Sequence, residues 1–178
     1  MQTKSNKLRT LVAALAVSAA AFSTWQASEG FTSGAVIPTK GDVPTIGHGS
    51  TKYENGAPVK MGDTITRVRA AQLARNLMSA DERAFAASLP ASATLHQGEY
   101  DVYLDFVGQY GIGNWRSSSM RRYVAAGQYV AACDALLQYR KAAGYDCSTL
   151  INGKPNQRCY GVWTRQRDRY AKCMAAQS

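Results

Sequence analysis

The spacing of apolar residues changes near residue 64, and this change constrains the fold more than any other feature of the chain. Before it, residues 29–62 are dense in glycine and proline, and short apolar pieces, Ala35-Val36-Ile37 and Val43-Pro44-Thr45-Ile46, flank a Lys40-Gly41-Asp42 turn. This pattern predicts a small antiparallel hairpin region. Strands this short cannot bury a core alone, so we expect them to pack on helices.

From residue 64 onward the apolar residues recur at helical spacing. The pattern predicts one or two helices over 66–88, ended by Pro90, and another helix opened by a capping box at Thr94-Leu95-His96-Gln97. The other predicted helices are a short one capped by Ser118 or Ser119 and closed by Gly127, one from Tyr129 to about Ala142, and one from Val162 to Met174 after a loop over 144–161. Strands followed by a separate block of helices predict an α+β fold.

The N-terminal segment has the layout of an export signal. Lys4, Lys7 and Arg9 precede 19 uncharged residues, Thr10–Ser28, and a membrane span needs about 20. Cleavage after the small residues Ala19-Ala20-Ala21 and retention as a weakly apolar anchor are both open. Glu29 directly follows this segment. Cleavage close to Glu29 would leave that residue at a frayed chain end. If Glu29 is functional, an uncleaved anchor is therefore favoured.

The remainder, residues 29–178, has the length and composition of one globular domain, with 46% hydrophobic and 19% charged residues over the whole chain. We therefore expect an N-terminal segment over 1–28 and one folded domain over 29–178. No internal repeat or linker divides that domain.

Four cysteines lie in the C-terminal third, and export would place them in an oxidising compartment, so we expect disulfides. Three pairings are possible. We favour Cys147 with Cys159, closing a polar loop, and Cys133 with Cys173, joining two helical segments. A zinc site is the alternative, but the chain has no C-x-x-C pair and both histidines lie far upstream, so we expect no metal.

The net charge is +9, and residues 116–178 alone carry 11 basic and three acidic side chains, a net of +8. Such a surface favours an anionic partner: nucleic acid, anionic lipid or acidic polysaccharide. Export and the absence of a nucleic-acid reader motif disfavour nucleic acid, which leaves the cell wall and the membrane. The bland alternative is a solvated helical face.

Glu29-Gly30 precedes the hairpin, and Thr45-Ile46-Gly47-His48-Gly49 lies in it. This arrangement resembles the phage-type lysozymes, glycoside hydrolase family 24, whose pattern is Glu-Gly, a hairpin carrying Asp, then Thr-Ile-Gly-x-Gly-His. Ser50 stands where those enzymes usually have His. The likeness spans nearly all of 29–175. It continues in Phe106-x-x-Gln109-Tyr110-Gly111, where Gln109 replaces Asn, in Trp115 and Ser117-Ser118-Ser119, and in the basic segment after Trp163.

The resemblance implies a lysozyme-like fold and a muramidase that needs no cofactor. It implies hydrolysis, with inversion, of the β-1,4 bond between N-acetylmuramic acid and N-acetylglucosamine in peptidoglycan, for phage release. The weak N-terminal apolar stretch is similar to that of signal-anchor-release endolysins. These are exported, held inactive on the periplasmic side of the host inner membrane by an uncleaved anchor, and later released to the periplasm. We expect a monomer.

Glycoside hydrolysis needs a carboxylic acid, held protonated by partial burial, and a second group that holds or activates water. The resemblance assigns Glu29 as general acid, Asp42 as the residue that orients water and Thr45 as the residue that helps to fix it, with Thr51 a poorer alternative. The family Asp usually lies nine residues after the Glu, where this chain has Pro38. Asp42 lies thirteen after.

Gln109 is the candidate sugar-binding residue, and His48 is interpreted as a hydrogen-bonded hairpin residue. Two other functions stay open from the sequence. A lytic transglycosylase would use the glutamate without a second carboxylate, and a basic wall-binding or membrane-perturbing protein would need no catalysis.

Overall fold

The computed structural model describes residues 8–178 and has an α+β fold, as predicted. The helices are α1 (Ala19–Glu29), α2 (Arg67–Ala86), α3 (Gln97–Ser117), α4 (Ser119–Ala125), α5 (Tyr129–Ala135) and α6 (Tyr160–Ala175), with short 3₁₀ turns at Val12–Ala14 and Leu136–Gln138. The strands pair antiparallel in twos: β1 (Thr10–Leu11) with β4 (Thr94–Leu95), β2 (Thr32–Val36) with β3 (Thr45–Gly47), β5 (Lys141–Ala142) with β6 (Tyr145–Asp146), and β7 (Leu150–Ile151) with β8 (Lys154–Pro155). Lys4 and Lys7, the predicted basic flank, lie outside the described residues.

The described residues divide into two compact units. The first, here called the hairpin unit, is Val17–Ala84, and the second, the helical unit, comprises the described residues up to Ala16 together with Phe85–Ser178.

The core of the hairpin unit joins the β2–β3 hairpin to α2. Ile46, Val59, Ile65 and Leu73 are buried and pack together. Gly47 lies so close to the helix that a Cβ on it would stand 2.9 Å from the Cβ of Ala70. The short strands therefore bury their apolar side against a helix, as predicted.

The helical unit is built around aromatic side chains of α3. Trp115 is fully buried, and its ring centroid lies 4.8 Å from that of Phe85 and 5.2 Å from that of Tyr103. The indole Nε1–H of Trp115 donates to Ser88 Oγ at 2.8 Å, so the buried donor is satisfied.

Both favoured disulfides are confirmed. Cys133 is bonded to Cys173, which joins α5 to α6, and Cys147 is bonded to Cys159. On the chain-entropy account each such loop closure stabilises the fold by about 3 to 4 kcal/mol.

The N-terminal segment contributes to the folded units in this structure. β1 pairs with β4, the buried Val12 donates its N–H to the carbonyl of Ala93 at 2.9 Å, and Arg9 forms an ion pair with Glu99. No helix within residues 8–178 is both long enough and apolar enough to cross a membrane.

Several helix ends differ from the predicted ones. The capping box of α3 is formed by His96 and Glu99, two residues later than predicted, because Thr94-Leu95 is used as strand β4. A predicted end near Gly108 to Gly113 is also wrong: α3 continues to Ser117, with a break in helical backbone at Gly111, where φ is 82°.

The chain after α5 was predicted wrongly as helix to about Ala142 and then loop. α5 ends at Ala135, and two tight hairpins, β5–β6 and β7–β8, occupy part of the region up to α6. Tight hairpins turn on residues with positive φ, here Asn152 and Gly153 for β7–β8.

Candidate active site

Glu29 is the last residue of α1, a helix whose start is capped by Ser18, the Oγ of which accepts the N–H of Ala21 at 3.1 Å. The next residue, Gly30, has φ 71° and ψ −158°, a conformation that ends the helix and that glycine adopts without strain. The chain then enters β2 of the hairpin. Local sequence therefore places the glutamate at the junction of helix and hairpin.

His48 fixes this junction from the hairpin side. Its ring Nδ1 lies 2.5 Å from the carbonyl oxygen of Gly30, so Nδ1 carries the hydrogen and donates it. The ring is 8% exposed, with ring-centroid distances of 6.5 Å to Trp25 and 5.8 Å to Phe31. The interpretation of His48 as a hydrogen-bonded hairpin residue is confirmed.

Gly49 lies directly against the carboxylate of Glu29. A Cβ built on Gly49 would stand 3.3 Å from Glu29 Oε2, and Gly49 has φ 79°. Two backbone hydrogen bonds between Ile46 and Ser50, of 2.9 and 3.0 Å, close the tight loop that carries it. The Thr45–Gly49 motif and Glu29, 16 to 20 residues apart in sequence, are thus brought together.

Thr45 lies at the opposite end of the same short ladder. It pairs with Val36, and its Oγ1 donates to the carbonyl of Val36 at 3.4 Å, whereas Gly47 pairs with Thr32 near the Glu29 end. β2 has a bulge between these pairs, so the two ends are separated by only about 7 Å along β3.

Asp42 lies in the connection between β2 and β3. Its N–H donates to the carbonyl of Thr39 at 2.9 Å, which closes a turn with Gly41 at φ 95°. Asp42 is exposed, and so is Pro38, the residue at the usual position of the family Asp.

The expected partial burial of Glu29 is wrong for this structure, because the side chain is exposed. Its position explains this: the last residue of a helix that ends at a glycine has neighbours on fewer sides than a residue in mid-helix. Thr51, the poorer alternative to Thr45, is also exposed. Its carbonyl oxygen accepts a hydrogen bond from the N–H of Val59.

The other acids that flank the hairpin are held by structural partners. Glu54 accepts a bidentate pair of hydrogen bonds from Arg69, at 2.8 and 2.7 Å, and one from Asn76, and these hold the pKa of Glu54 at about 2. The N–H of Lys60 and the hydroxyl of Tyr53 donate to Asp63 and lower its pKa.

Gln109, the candidate sugar-binding residue, belongs to the helical unit. It is exposed on α3, two residues before the break at Gly111. A partly buried network lies on the same helix: Arg169 of α6 donates to Asp105 Oδ2 at 2.6 Å, and Arg165 donates to Oδ1 at 2.8 Å. This network fixes α3 to α6.

Within residues 8–178 no group of three or more histidine, cysteine, aspartate or glutamate side chains is arranged to hold a metal ion. Sequence reasoning named Glu29, Asp42 and Thr45. The structure places Glu29 before one end of the β2–β3 ladder, and Thr45 and Asp42 at and beyond its other end. Sequence reasoning identified His48 as a hydrogen-bonded residue but not its partner, the carbonyl of Gly30, and it missed the approach of Gly49 to Glu29. The second glycine of the Thr-Ile-Gly-x-Gly run, which permits a positive φ, was the available signal.

Three comparisons bear on this arrangement. Residues 5–158 match the family model described as Phage lysozyme. The endolysin of Salmonella phage P22 is 29% identical over 116 residues, which cover 65% of this chain and 77% of that protein.

The fold is also similar to that of solved structures. P22 lysozyme has a TM-score of 0.67 at 24% identity, over 90% of this chain and 99% of the other. The muramidase domain of SpmX from Asticaccaulis excentricus has a TM-score of 0.68 at 19% identity, over 89% and 97%. At these identities the structural likeness establishes the fold.

Proposed function

The chain belongs to the phage lysozyme family of glycoside hydrolases, and from that premise we propose that it is an endolysin of the muramidase type. Its substrate class is peptidoglycan. In the proposal it hydrolyses the β-1,4 bond between N-acetylmuramic acid and N-acetylglucosamine, and so opens the host wall for phage release. The proximity of Glu29 Oε2 to Gly49, 3.3 Å from where a Cβ of that residue would stand, carries the proposal, because it brings the candidate acid beside the family motif.

In the proposed reaction Glu29 donates its proton to the glycosidic oxygen as that bond breaks. A water held by Asp42 and Thr45 attacks the anomeric carbon from the other face, and its proton passes to Asp42. Inverting enzymes place the two carboxyl groups about 6.5 to 9.5 Å apart. The proposal therefore requires the carboxylates of Glu29 and Asp42 to lie at such a separation when the substrate is bound.

The test is hydrolysis of purified peptidoglycan by single variants. Glu29→Gln should lower the turnover number by about 10³ or more, Asp42→Asn by about 10², and Thr45→Ala by about tenfold. Pro38→Ala is the matched control for Asp42→Asn, because both residues are exposed in the same connection, and it should keep the parental rate. Equal losses in Pro38→Ala and Asp42→Asn would remove Asp42 from the mechanism.

Product analysis separates hydrolysis from the lytic transglycosylase reaction. A hydrolase leaves a reducing N-acetylmuramic acid end, whereas a transglycosylase forms an anhydro-muramic product without consuming water. Anhydro products from this enzyme would overturn the assignment. If Glu29→Gln lysed cells at the parental rate, catalysis through Glu29 would be wrong and a non-enzymatic wall- or membrane-binding activity would account for lysis.

We also propose that Gln109 hydrogen-bonds a sugar of the substrate and that the released enzyme is a monomer. Gln109→Ala should raise KM about fivefold or more with little change in kcat, because a ground-state contact is lost. Sedimentation at increasing concentration tests the monomer, and a second, heavier species would contradict it.

The N-terminal segment supports a further proposal, a membrane-tethered inactive form on the periplasmic side of the host inner membrane that is later released. Basic residues followed by 19 uncharged ones favour export and transient anchoring. Mass spectrometry of the exported protein tests this. The intact N-terminus should appear first in the membrane fraction and later in the soluble periplasm, and a mature chain beginning at Phe22 or Ser28 would reject an uncleaved anchor.

A further inference from the structure

We propose that His48 is a positioning residue that fixes the end of α1 and thereby aims Glu29 at the glycosidic bond. The inference rests on the proposed role of Glu29 as general acid. It extends that role to a side chain in the variable position of the Thr-Ile-Gly-x-Gly run.

The hydrogen bond between His48 and Gly30 has a direction that chemistry fixes. The carbonyl of Gly30 can only accept, so the ring of His48 must present Nδ1–H to it, and the 2.5 Å separation is a close contact. Gly30 directly follows Glu29. Holding its carbonyl therefore holds the peptide unit adjacent to the candidate acid.

Gly30 itself does not restrain the direction in which the chain leaves α1. A Cβ on Gly30 would meet no atom within 4 Å, and glycine populates both signs of φ readily. The direction in which the chain leaves α1 must then be set from outside the glycine, and the imidazole donor of His48 is one contact that does so.

Neighbouring side chains confine the imidazole ring of His48. It is 8% exposed and lies beside Trp25 of α1 and Phe31 of the following segment, with ring centroids 6.5 and 5.8 Å away. One ring thus contacts the helix, the residues after it and the hairpin loop. Because the buried ring has little rotational freedom, its Nδ1–H donor points in one direction.

The loop that carries His48 also restrains the carboxylate of Glu29. Gly49, the next residue, approaches Glu29 Oε2 to 3.3 Å from its Cβ position. His48 thus restrains the backbone at Gly30, and Gly49 meets the carboxylate of Glu29. Catalysis is sensitive to such placement, since about 1 Å of displacement can cost about 10²-fold in rate.

The test compares three substitutions in the full chain, using a soluble peptidoglycan oligosaccharide. The amide nitrogen of asparagine can reach the place of Nδ1, whereas that of glutamine reaches the place of Nε2. Leucine fills the buried volume with no donor. We expect His48→Asn to keep kcat within about threefold, and His48→Gln and His48→Leu to lower kcat about tenfold or more with KM changed less than about twofold.

His96→Ala is the matched control, because it removes the chain's other histidine, which caps α3 in the helical unit. It should lower the thermal midpoint and leave kcat unchanged at temperatures where the protein is folded. If His48→Gln and His48→Leu were folded and kept the parental kcat, or if His48→Asn were as slow as His48→Gln, the inference would be overturned. A fully active Glu29→Gln would instead overturn the proposed function, which separates the two failures. Should His48→Leu not fold, the asparagine and glutamine pair decides alone.

Discussion

At the scale of single residues, Gly49 has two features that disfavour a side chain. Its φ of 79° lies in the left-handed region, and its Cβ position is 3.3 Å from Glu29 Oε2. The first feature costs any other residue about 1 to 2 kcal/mol, and the second displaces the carboxylate itself. Backbone and carboxylate are therefore coupled at this one position.

Gly49→Ala should accordingly reduce activity more than stability. We expect kcat on purified peptidoglycan to fall about tenfold or more, while the free energy of unfolding falls by about 1 to 2 kcal/mol. The matched control is Gly56→Ala, since Gly56 has φ 83° but no atom within 4 Å of its Cβ position. An equal loss of kcat in both variants would show that backbone strain, not the contact with Glu29, is responsible.

The candidate site could be predicted from the sequence where the chemistry is local. Strand β3 is formed by Thr45, Ile46 and Gly47, and the glycines on either side of His48 indicate a tight loop. The contact between Gly49 and Glu29 could not be predicted, because it depends on where α1 ends relative to the hairpin. The prediction that Glu29 is partly buried was wrong for the same reason.

At the scale of elements, helices were predicted more reliably than their ends. The apolar spacing over 66–88 marks α2, which spans Arg67–Ala86. The start of α3 moved by two residues because β1, from the N-terminal segment, pairs with Thr94-Leu95. Local capping rules cannot account for a partner strand 83 to 85 residues away.

The two hairpins before α6 were missed although one carries a strong local signal. Asn152-Gly153 is a dipeptide that two-residue hairpin turns strongly favour, and both residues have positive φ. The β5–β6 turn uses Ala143 at φ 47°, which no sequence rule favours. That turn is held instead by its surroundings, among them the hydrogen bond from Cys147 N–H to the carbonyl of Arg140 at 2.7 Å.

The N-terminal element is attached to the helical unit by a buried charge. Glu99 is fully buried and accepts hydrogen bonds from Arg9 at 3.2 and 3.3 Å, while the Arg9 guanidinium also stacks 3.6 Å from the ring centroid of Tyr129. Removing one partner of such a pair leaves an uncompensated buried charge, which costs about 3 to 5 kcal/mol.

Arg9→Met should therefore lower the free energy of unfolding by about 3 kcal/mol, measured by urea denaturation of the full chain. The double variant Arg9→Met with Glu99→Gln should recover much of that loss, since no charge is then buried alone. Lys172→Met is the control, because its ion pair with Asp168 is 57% exposed at both ends and should contribute less than about 0.5 kcal/mol. Equal losses in the two single variants would show that Arg9 contributes no more than a surface charge.

At the scale of the whole molecule, acid stability depends on carboxylates held by arginines. Burial alone would raise the pKa of Asp105, but Arg169 and Arg165 outweigh it and the pKa is lowered. A carboxylate with a lowered folded-state pKa stabilises the fold above its unfolded pKa, near 4 by ordinary values, and loses that contribution as the pH falls through the lower value.

Asp105→Asn should thus destabilise the protein at pH 7 by about 2 kcal/mol, since Arg169 is 2% exposed and would lose its charge partner. The difference from the parental protein should shrink as the pH falls below about 4 and vanish once the parental Asp105 is protonated. Urea titrations from pH 7 to pH 2 measure this. Asp168→Asn, at the exposed pair, should give a small and nearly flat difference, and a flat profile for Asp105→Asn would contradict the ion-pair account.

The net charge of +9 is unevenly placed, and its placement predicts how the enzyme finds its substrate. Of the acids in 116–178, Asp146 pairs with Arg140 and Asp168 with Lys172, while Lys141, Lys154 and Arg167 are exposed. Exposed charges act over about 10 Å at 0.1 M salt and about 3 Å at 1 M. Their contribution should therefore appear as a salt-dependent association rate with an anionic wall.

The triple variant Lys141→Gln, Lys154→Gln and Arg167→Gln should lyse isolated cell walls several-fold more slowly at low ionic strength. The rates of variant and parental enzymes should converge as salt is raised, because screening removes the same attraction that the substitutions remove. Hydrolysis of a short, soluble peptidoglycan oligosaccharide, which carries far less negative charge than the wall, should change much less, and this separates steering from catalysis. Lys172→Gln, which removes a charge already paired with Asp168, is the matched control. A triple variant that is equally slow on both substrates at every salt concentration would show that these residues support the fold or the active site and do not attract the wall.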